Sequence, residues 1–177
     1  INKFPIPKKA LENCNRSLDY LFVDGKLSQD ELNCIVIQIL MMLITYQKLF
    51  NLTHNDLHTN NIMFVETERR YLYYKLDGKH YKVKTYGKIF KIIDFGRAIY
   101  TFNGQLICSD SYNSAGDAAT QFNFGPYFNE DKPTVEPNYA FDICRLACAL
   151  YDHFIVDEED MEEMDDEELK EVKIRQR

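Results

Sequence analysis

The residues that invite a chemical reading are His54-Asn55-Asp56-Leu57-His58-Thr59-Asn60-Asn61, a mostly polar run set between two apolar ones. Asp56 offers a carboxylate that can orient an acceptor hydroxyl and take its proton. Five residues on, Asn61 adds a neutral oxygen of the hard kind that magnesium prefers. A second run, Lys91-Ile92-Ile93-Asp94-Phe95-Gly96, reads as an apolar strand that carries one carboxylate to its tip and then turns at a glycine. Asp94 is thereby the candidate metal ligand. A base and two oxygen ligands suit phosphoryl transfer, in which charge must be neutralised and an alcohol aimed. His54 and His58 lie four residues apart, a spacing that also invites zinc, but Asn55 occupies the place where the zinc-protease motif needs glutamate.

At these residues the chain resembles the protein kinases. The kinase catalytic-loop pattern His-Arg-Asp-Leu-x-x-x-Asn is met by His54, Asp56, Leu57 and Asn61, with Asn55 in place of the arginine, and Asp94-Phe95-Gly96 meets the magnesium motif in full. Two ordered motifs weigh far more than either alone. The resemblance implies ATP and Mg2+ as cofactors, with Asn61 and Asp94 on the metal and Asp56 at the acceptor. It places His58 where kinases carry a phosphate-touching lysine; an imidazole there is charged only near or below pH ~6.5. It makes His54, Phe95 and Gly96 structural supports, His54 packing beneath Phe95. It puts Leu11, the backbone of Glu12 and Cys14, Met63 and Ile93 around the adenine, although Met63 suits a core role equally well. It casts Asp142 as the buried carboxylate that holds the catalytic-loop amides, in preference to a plain charge in a helix's first turn. Because Asn55 replaces arginine, activity is expected not to depend on phosphorylation of Thr101, Ser109 or Ser111.

The elements that must position these groups can be read in order. Residues 4–14, with Pro5 and Pro7, look under the resemblance like the last strand of a small lobe entering a hinge; a disordered end is the plainer reading. Ser17 can cap a short helix over residues 17–22 that Asp24-Gly25 ends. Ser28-Gln29-Asp30-Glu31 is a capping box, and the helix it starts, residues 32–50, is apolar on nearly every face and so should be central and buried. Residues 62–65 form a short strand. Asp77-Gly78 signals a hairpin between residues 71–75 and 80–84. Its tyrosines and lysines are compatible with RNA stacking, but ordinary cross-strand pairing is the favoured account. This inserted ribbon, the residues 88–98 run, Gly116-Asp117-Ala118-Ala119 and residues 141–146 together resemble kinase-like proteins of large DNA viruses of eukaryotes. Residues 97–137 have no sustained period, as an activation and substrate-binding segment would not. The Ala-Pro-Glu motif is absent and Glu136-Pro137 is no substitute, which leaves the acceptor open. A last helix over residues 139–154 should turn Phe141, Ile143, Leu146, Ala147 and Leu150 to the core.

Composition sets outer bounds. The 177 residues, 45% hydrophobic, suit one domain or a large part of one. Five cysteines without a Cys-x-x-Cys pair suggest neither disulfide framework nor zinc ribbon, and Cys144 and Cys148 read as small buried hydrophobes. The net charge of -7 is misleading: residues 157–168 hold ten acidic groups, and without them 18 acidic residues face 21 basic ones, a balance of about +3. That mild excess accords with a nucleotide and gives no support for nucleic-acid binding. The longest apolar run, residues 34–46, falls short of the ~20 a membrane span needs. An intracellular, cytoplasmic place is the resulting expectation, in the host cytoplasm or virion should the source be viral.

The fold that the resemblance implies is α+β but mainly α, a protein-kinase-like C-terminal lobe with a small β-hairpin insertion and most of the N-terminal lobe missing. Its expected parts are the end of a small lobe and hinge (1–13), a large lobe (14–154) and an acidic tail without chemistry (155–177). Within the large lobe lie the catalytic loop (54–61), the insertion (66–88) and the activation segment (94–137). The sequence holds no Gly-x-Gly and no lysine strand with its helix glutamate. The chain alone is thus expected to bind ATP weakly and to turn over slowly until the missing lobe completes the site. The leading expectation is a serine/threonine-type protein kinase acting on a protein substrate. A sugar or amino-alcohol kinase, favoured by His58, and a non-catalytic pseudokinase module are the alternatives.

Overall fold

The longest helix begins where its cap dictates. In the computed structural model, which describes residues 13–23, 27–113, 115–122 and 135–154, the Ser28 hydroxyl accepts from the Glu31 amide at 3.2 Å. Helix α2 then runs Gln29–Phe50 and closes on Asn51 in the left-handed conformation. The reciprocal half of the box is not made: the Glu31 carboxylate reaches Lys88 Nζ at 2.8 Å instead. Before α2 lie the two-residue strand β1 (Arg16–Ser17) and helix α1 (Leu18–Val23). Ser17 does not act as the helix cap. Its hydroxyl reaches Asn60 Oδ1 at 3.4 Å.

Helix α2 buries Ile35, Gln38, Ile39 and Leu43 against the sheet of β1, β2 (Ile62–Glu66) and β5 (Lys88–Ile92), in the order β1-β2-β5. Ile62 and Phe64 on β2, Phe90 and Ile92 on β5, Leu57 of the loop and Leu146 complete this core. Gln38 is the polar member. It accepts from the Phe90 amide at 3.1 Å and donates to the Lys88 carbonyl at 3.4 Å, so it continues the hydrogen bonding of β5 beyond its last paired strand. Counted as a 22-residue helix, α2 is long and apolar enough to cross a membrane by length and composition. The contiguous apolar run understated this, because a helix tolerates Gln38 and Thr45 within its span.

The inserted ribbon is β3 (Tyr71–Leu76) paired with β4 (Lys79–Lys84). Asp77 and Gly78, at φ +48° and +78°, form the two-residue turn that matches strand twist. A second ribbon follows, β6 (Tyr100–Phe102) with β7 (Gln105–Ile107), turned at Asn103-Gly104 with φ +49° and +76°. Helices α3 (Ala119–Phe122) and α4 (Tyr139–Phe154) close the described order.

These pairings correct the expected fold class. About 43% of the described structure is helical and about 26% is strand, in several small antiparallel sheets, so the mainly-α class fails and no kinase-lobe fold is indicated. The physical reason is local. Asn-Gly between short β-prone triplets makes a ribbon where the sequence reading placed a loop, and the first ribbon is one of three sheets rather than a lone insertion. Helix α4 departs in its facing as well. Its inward stripe is centred on buried Asp142 and Leu146, while Ile143 is 49% exposed and Ala147 lies outside. Cys144 and Cys148 are exposed rather than buried, and all five cysteines are free.

Candidate active site

The loop from His54 to Asn61 is pinned from three directions. At its entry, Thr53 and Ile99 exchange both backbone hydrogen bonds at 2.9 Å, tying it to the chain just past Gly96. At its exit, the Ile93 amide donates to the Asn61 carbonyl at 3.0 Å and continues the ladder in which Ile62 faces Ile92. Asn61 and Asp94 are therefore separated by one residue and one hydrogen bond. From beneath, fully buried Asp142 accepts from the amides of His54 and Asn55, each at 2.8 Å.

Burial pushes the Asp142 carboxyl above its ordinary range, and the two amide bonds pull part of the way back. Short paired N–H contacts of this kind favour the ionised carboxylate near neutral pH. A buried charge met by two backbone donors fixes their geometry, and those donors begin the turn that presents Asp56. Asn55 carries the bend at φ +64°, a conformation Asn tolerates better than most residues. Its Nδ2 donates to the Arg97 carbonyl at 3.1 Å, which also accepts from the Tyr112 hydroxyl at 2.6 Å.

His54 is fully buried with both ring nitrogens engaged. The Asp56 amide donates to Nδ1 at 3.3 Å, which leaves Nε2 to donate to the Ile93 carbonyl at 2.8 Å. The ring meets Phe95 edge-on, with centroids 5.1 Å apart. Such a histidine has no lone pair left for zinc. His58 is half-buried at the start of a 3-10 turn, and its carbonyl accepts from the Asn61 amide at 3.0 Å.

Asn61 donates its Nδ2 to the Asp56 carbonyl at 2.9 Å, so its amide oxygen is the atom free to act as a ligand. Asp94 stands exposed at φ +60°, its Oδ1 accepting from the Gly96 amide at 3.3 Å. A Cβ on Gly96 would come within 3.2 Å of that oxygen, so glycine gives the carboxylate its room. Asn61 Oδ1 and the Asp94 carboxylate are the two hard oxygens that could serve a magnesium ion, which in phosphate-bound sites takes few protein oxygens. Among the described residues no group of three His, Cys, Asp or Glu side chains forms a protein cage for a metal.

Met63 and Lys91 face each other on the side of the sheet turned away from the Phe64 and Phe90 core, and Ile93 continues on the Lys91 side just before Asp94. Cys14 precedes Asn15, whose amide donates to the Phe64 carbonyl at 2.9 Å and brings that segment beside β2. Leu11 and Glu12 lie outside the described residues. So do 123–134 of the proposed activation segment and the acidic tail 155–177.

No family model matches the chain. A Caenorhabditis elegans protein, "Uncharacterized protein ZK177.2", is 32% identical over 74 residues, which span 40% of this chain and 25% of that relative. The matched stretch is thus about a quarter of the relative's length.

Two arginines were not singled out by the sequence reading. Arg97 Nη1 lies 3.4 Å and Arg145 Nη2 4.0 Å from the same oxygen, Asp56 Oδ1, and Arg97 Nη2 also meets Asp117 at 3.7 Å. A signal existed for Arg145: three residues past Asp142 on one helix, it shares the face on which Asp142 meets the loop. Gln121, which donates to the Asn55 carbonyl at 2.6 Å, had none. Gly116 was noted only as part of a resembling stretch, and its structural demand, that any Cβ would collide with the Ser111 carbonyl, was not.

Proposed function

We propose that this chain is an ATP-dependent phosphotransferase, with a catalytic loop of the protein-kinase type, acting on serine or threonine hydroxyls of a protein. The observation that carries the reading is the joint anchoring of Asp56, Asn61 and Asp94 by the Asp142 carboxylate and the Ile93 backbone. Mg2+-ATP, when bound, supplies the electrophilic phosphorus and the counter-charge for its oxygens. Asn61 and Asp94 offer the two protein oxygens for the metal, with the Asn61 amide nitrogen held by the Asp56 carbonyl so that its oxygen cannot turn away. At Asp56 both guanidinium groups approach Oδ1, which disposes Oδ2 to accept the hydroxyl proton as the acceptor oxygen would bond to the γ-phosphorus and the bond from that phosphorus to the bridging oxygen of the departing ADP would break. The arginines hold that carboxylate in one orientation.

A small-molecule acceptor, a sugar or amino alcohol, is the second reading, favoured by His58 in the place of the phosphate-touching lysine. The test is single-turnover transfer from γ-labelled ATP by the full chain with Mg2+, offered casein, sugars and amino alcohols in parallel. Label on protein serine or threonine, lowered about 10²- to 10⁴-fold by Asp56→Asn, is the expected result. Label on the small alcohols selects the second reading. Transfer indifferent to Asp56→Asn overturns the role assigned to Asp56, and the absence of both transfer and Mg2+-dependent ATP binding overturns both readings and leaves a non-catalytic module.

A further inference from the structure

The register of the first ribbon sorts its side chains into two unlike faces. Leu72 faces Val83, and these two with Tyr74 and Leu76 are the more buried set. On the other face Tyr71 lies opposite Lys84, Tyr73 opposite Lys82, and Lys75 opposite His80. All six are exposed, and no carboxylate stands among them. Averaged over the chain, basic charge is unremarkable; the alternation of the strands gathers it here, interleaved with aromatic rings.

Cross-strand packing accounts for part of this. Lys82 Nζ caps the Tyr71 ring at 4.0 Å and Lys84 Nζ caps the Tyr86 ring at 4.2 Å. It does not account for Tyr73, whose 73% exposure leaves a π-face open to solvent beside three lysines. The surface continues at the root of the ribbon into a shallow recess of about 450 Å³ lined by Arg69, Arg70, Tyr71, Lys84 and Tyr86, with Glu68 as its carboxylate.

We propose that this face of the β3–β4 ribbon binds single-stranded nucleic acid, its lysines tracking the phosphates and Tyr73 stacking on a base. Same-face residues along a strand recur about every 6.7 Å, a spacing comparable with that of nucleotides in an extended single strand. Stacking on exposed aromatic rings within a cationic groove is the sequence-tolerant way such strands are held. An acidic protein would be served by the lysines alone. A lipid surface would call for aliphatic groups on this face, yet Leu72, Leu76 and Val83 lie on the other. The inference is independent of the phosphotransferase reading.

The test is fluorescence anisotropy of the full chain with a labelled 12-nucleotide single strand, as RNA and as DNA, beside a duplex, polyglutamate and phosphatidylserine vesicles. The single strand is expected to bind most tightly, with an affinity that falls with salt and a log–log slope of about -0.7 for each lysine engaged. Tyr73→Ala should weaken it about 5- to 150-fold while Tyr73→Phe preserves it. Lys75→Gln, on the same face, should flatten the salt slope by about 0.7 and gives a second reading should Tyr73→Ala unfold, which its Tm reports. Equal binding of polyglutamate, duplex or vesicles, or affinity indifferent to both substitutions, overturns the proposal.

Discussion

Arg97 places Nη1 3.4 Å from Oδ1 of Asp56, and its own carbonyl receives the side chains of Asn55 and Tyr112. The residue after the Asp94-Phe95-Gly96 turn thus touches both the proposed base and the bend that presents it. Removing the guanidinium leaves the carbonyl contacts in place, so Arg97→Ala tests orientation alone. The pair is about a quarter exposed, and loss of such an ion pair costs up to about 1 kcal/mol of stability. Misplacement of a base by ~1 Å can cost as much as ~10² in rate. Transfer kinetics and urea unfolding of Arg97→Ala should therefore separate, with activity falling far more than stability. Parallel losses, or unchanged transfer, count against the assigned role of Asp56.

Deleting the buried carboxylate acts differently. Asp142→Ala orphans the amides of His54 and Asn55 in a site sealed from water, at about 1–3 kcal/mol for each donor. Urea denaturation should register a loss of roughly 2–6 kcal/mol on that basis. Asp142→Asn keeps one acceptor, turns an amide group toward the other donor, and should fall between. A loss under ~1 kcal/mol for Asp142→Ala would mean that the loop holds its shape without this anchor.

What the sequence disclosed about these anchors was uneven, for physical reasons. Ser28 and Asp77-Gly78 act through neighbours a few residues away, and both the cap and the two-residue turn formed as local chemistry requires. Asn103-Gly104 carried an equal signal, but its three-residue strands are too short to show alternation, so a ribbon passed for loop. Gln38 looked like an interruption in an apolar helix; its bonds to β5 depend on a sheet edge 50 or more residues away. The link between Asp142 and the loop amides spans 88 residues and follows from the resemblance alone. Ile143 and Ala147 were assigned inward by hydrophobicity, whereas the buried charge of Asp142 sets the facing of α4.

Gln38 itself gives a stability test. Gln38→Leu is nearly isosteric and suits an apolar helix, yet it strands the Phe90 amide at the edge of β5. One buried, unpartnered amide costs about 1–3 kcal/mol, more than an added aliphatic group recovers where the side chain already packs. Thermal unfolding should show a lower Tm. Unchanged or raised stability would show that water or a neighbour satisfies Phe90 in its place.

Acid should act on the loop before it acts on the fold. The Asp142 carboxyl protonates above its ordinary value of 3.8 because burial disfavours its charge. Between that value and the raised one, the native state holds a proton that the unfolded state releases. This group's contribution to stability therefore grows as pH falls through the folded value and is absent above it. The proton nevertheless turns one acceptor into a donor facing the His54 or Asn55 amide, which loosens the loop. Transfer should show an acid limb at a pH where this group adds to stability, and Asp142→Asn should remove that limb. Coincident acid losses of activity and Tm, or a limb that survives in Asp142→Asn, would assign it elsewhere.

Phosphorylation supplies the last test. Under the proposed phosphotransferase reading, activation by a phosphate would need a cation on the loop that carries Asp56, and that place is held by Asn55, buried and bonded to the Arg97 carbonyl. The nearby guanidiniums, Arg97 and Arg145, are turned to Asp56, so a phosphate that recruited them would strip the base of its supports. Ser109 and Ser111 already share a hydroxyl hydrogen bond at 2.8 Å in a 3-10 turn, and Thr101 sits in β6. A phosphate of about -1.5 to -2 charge on Ser109 or Ser111 would replace that hydroxyl bond and set its charge beside the Asp110 carboxylate. Chain carrying phosphoserine at position 111, made by semisynthesis, should transfer phosphate no faster than unmodified chain. A gain of tenfold or more would show that the segment finds another cation and that Asn55 does not exempt it from this control.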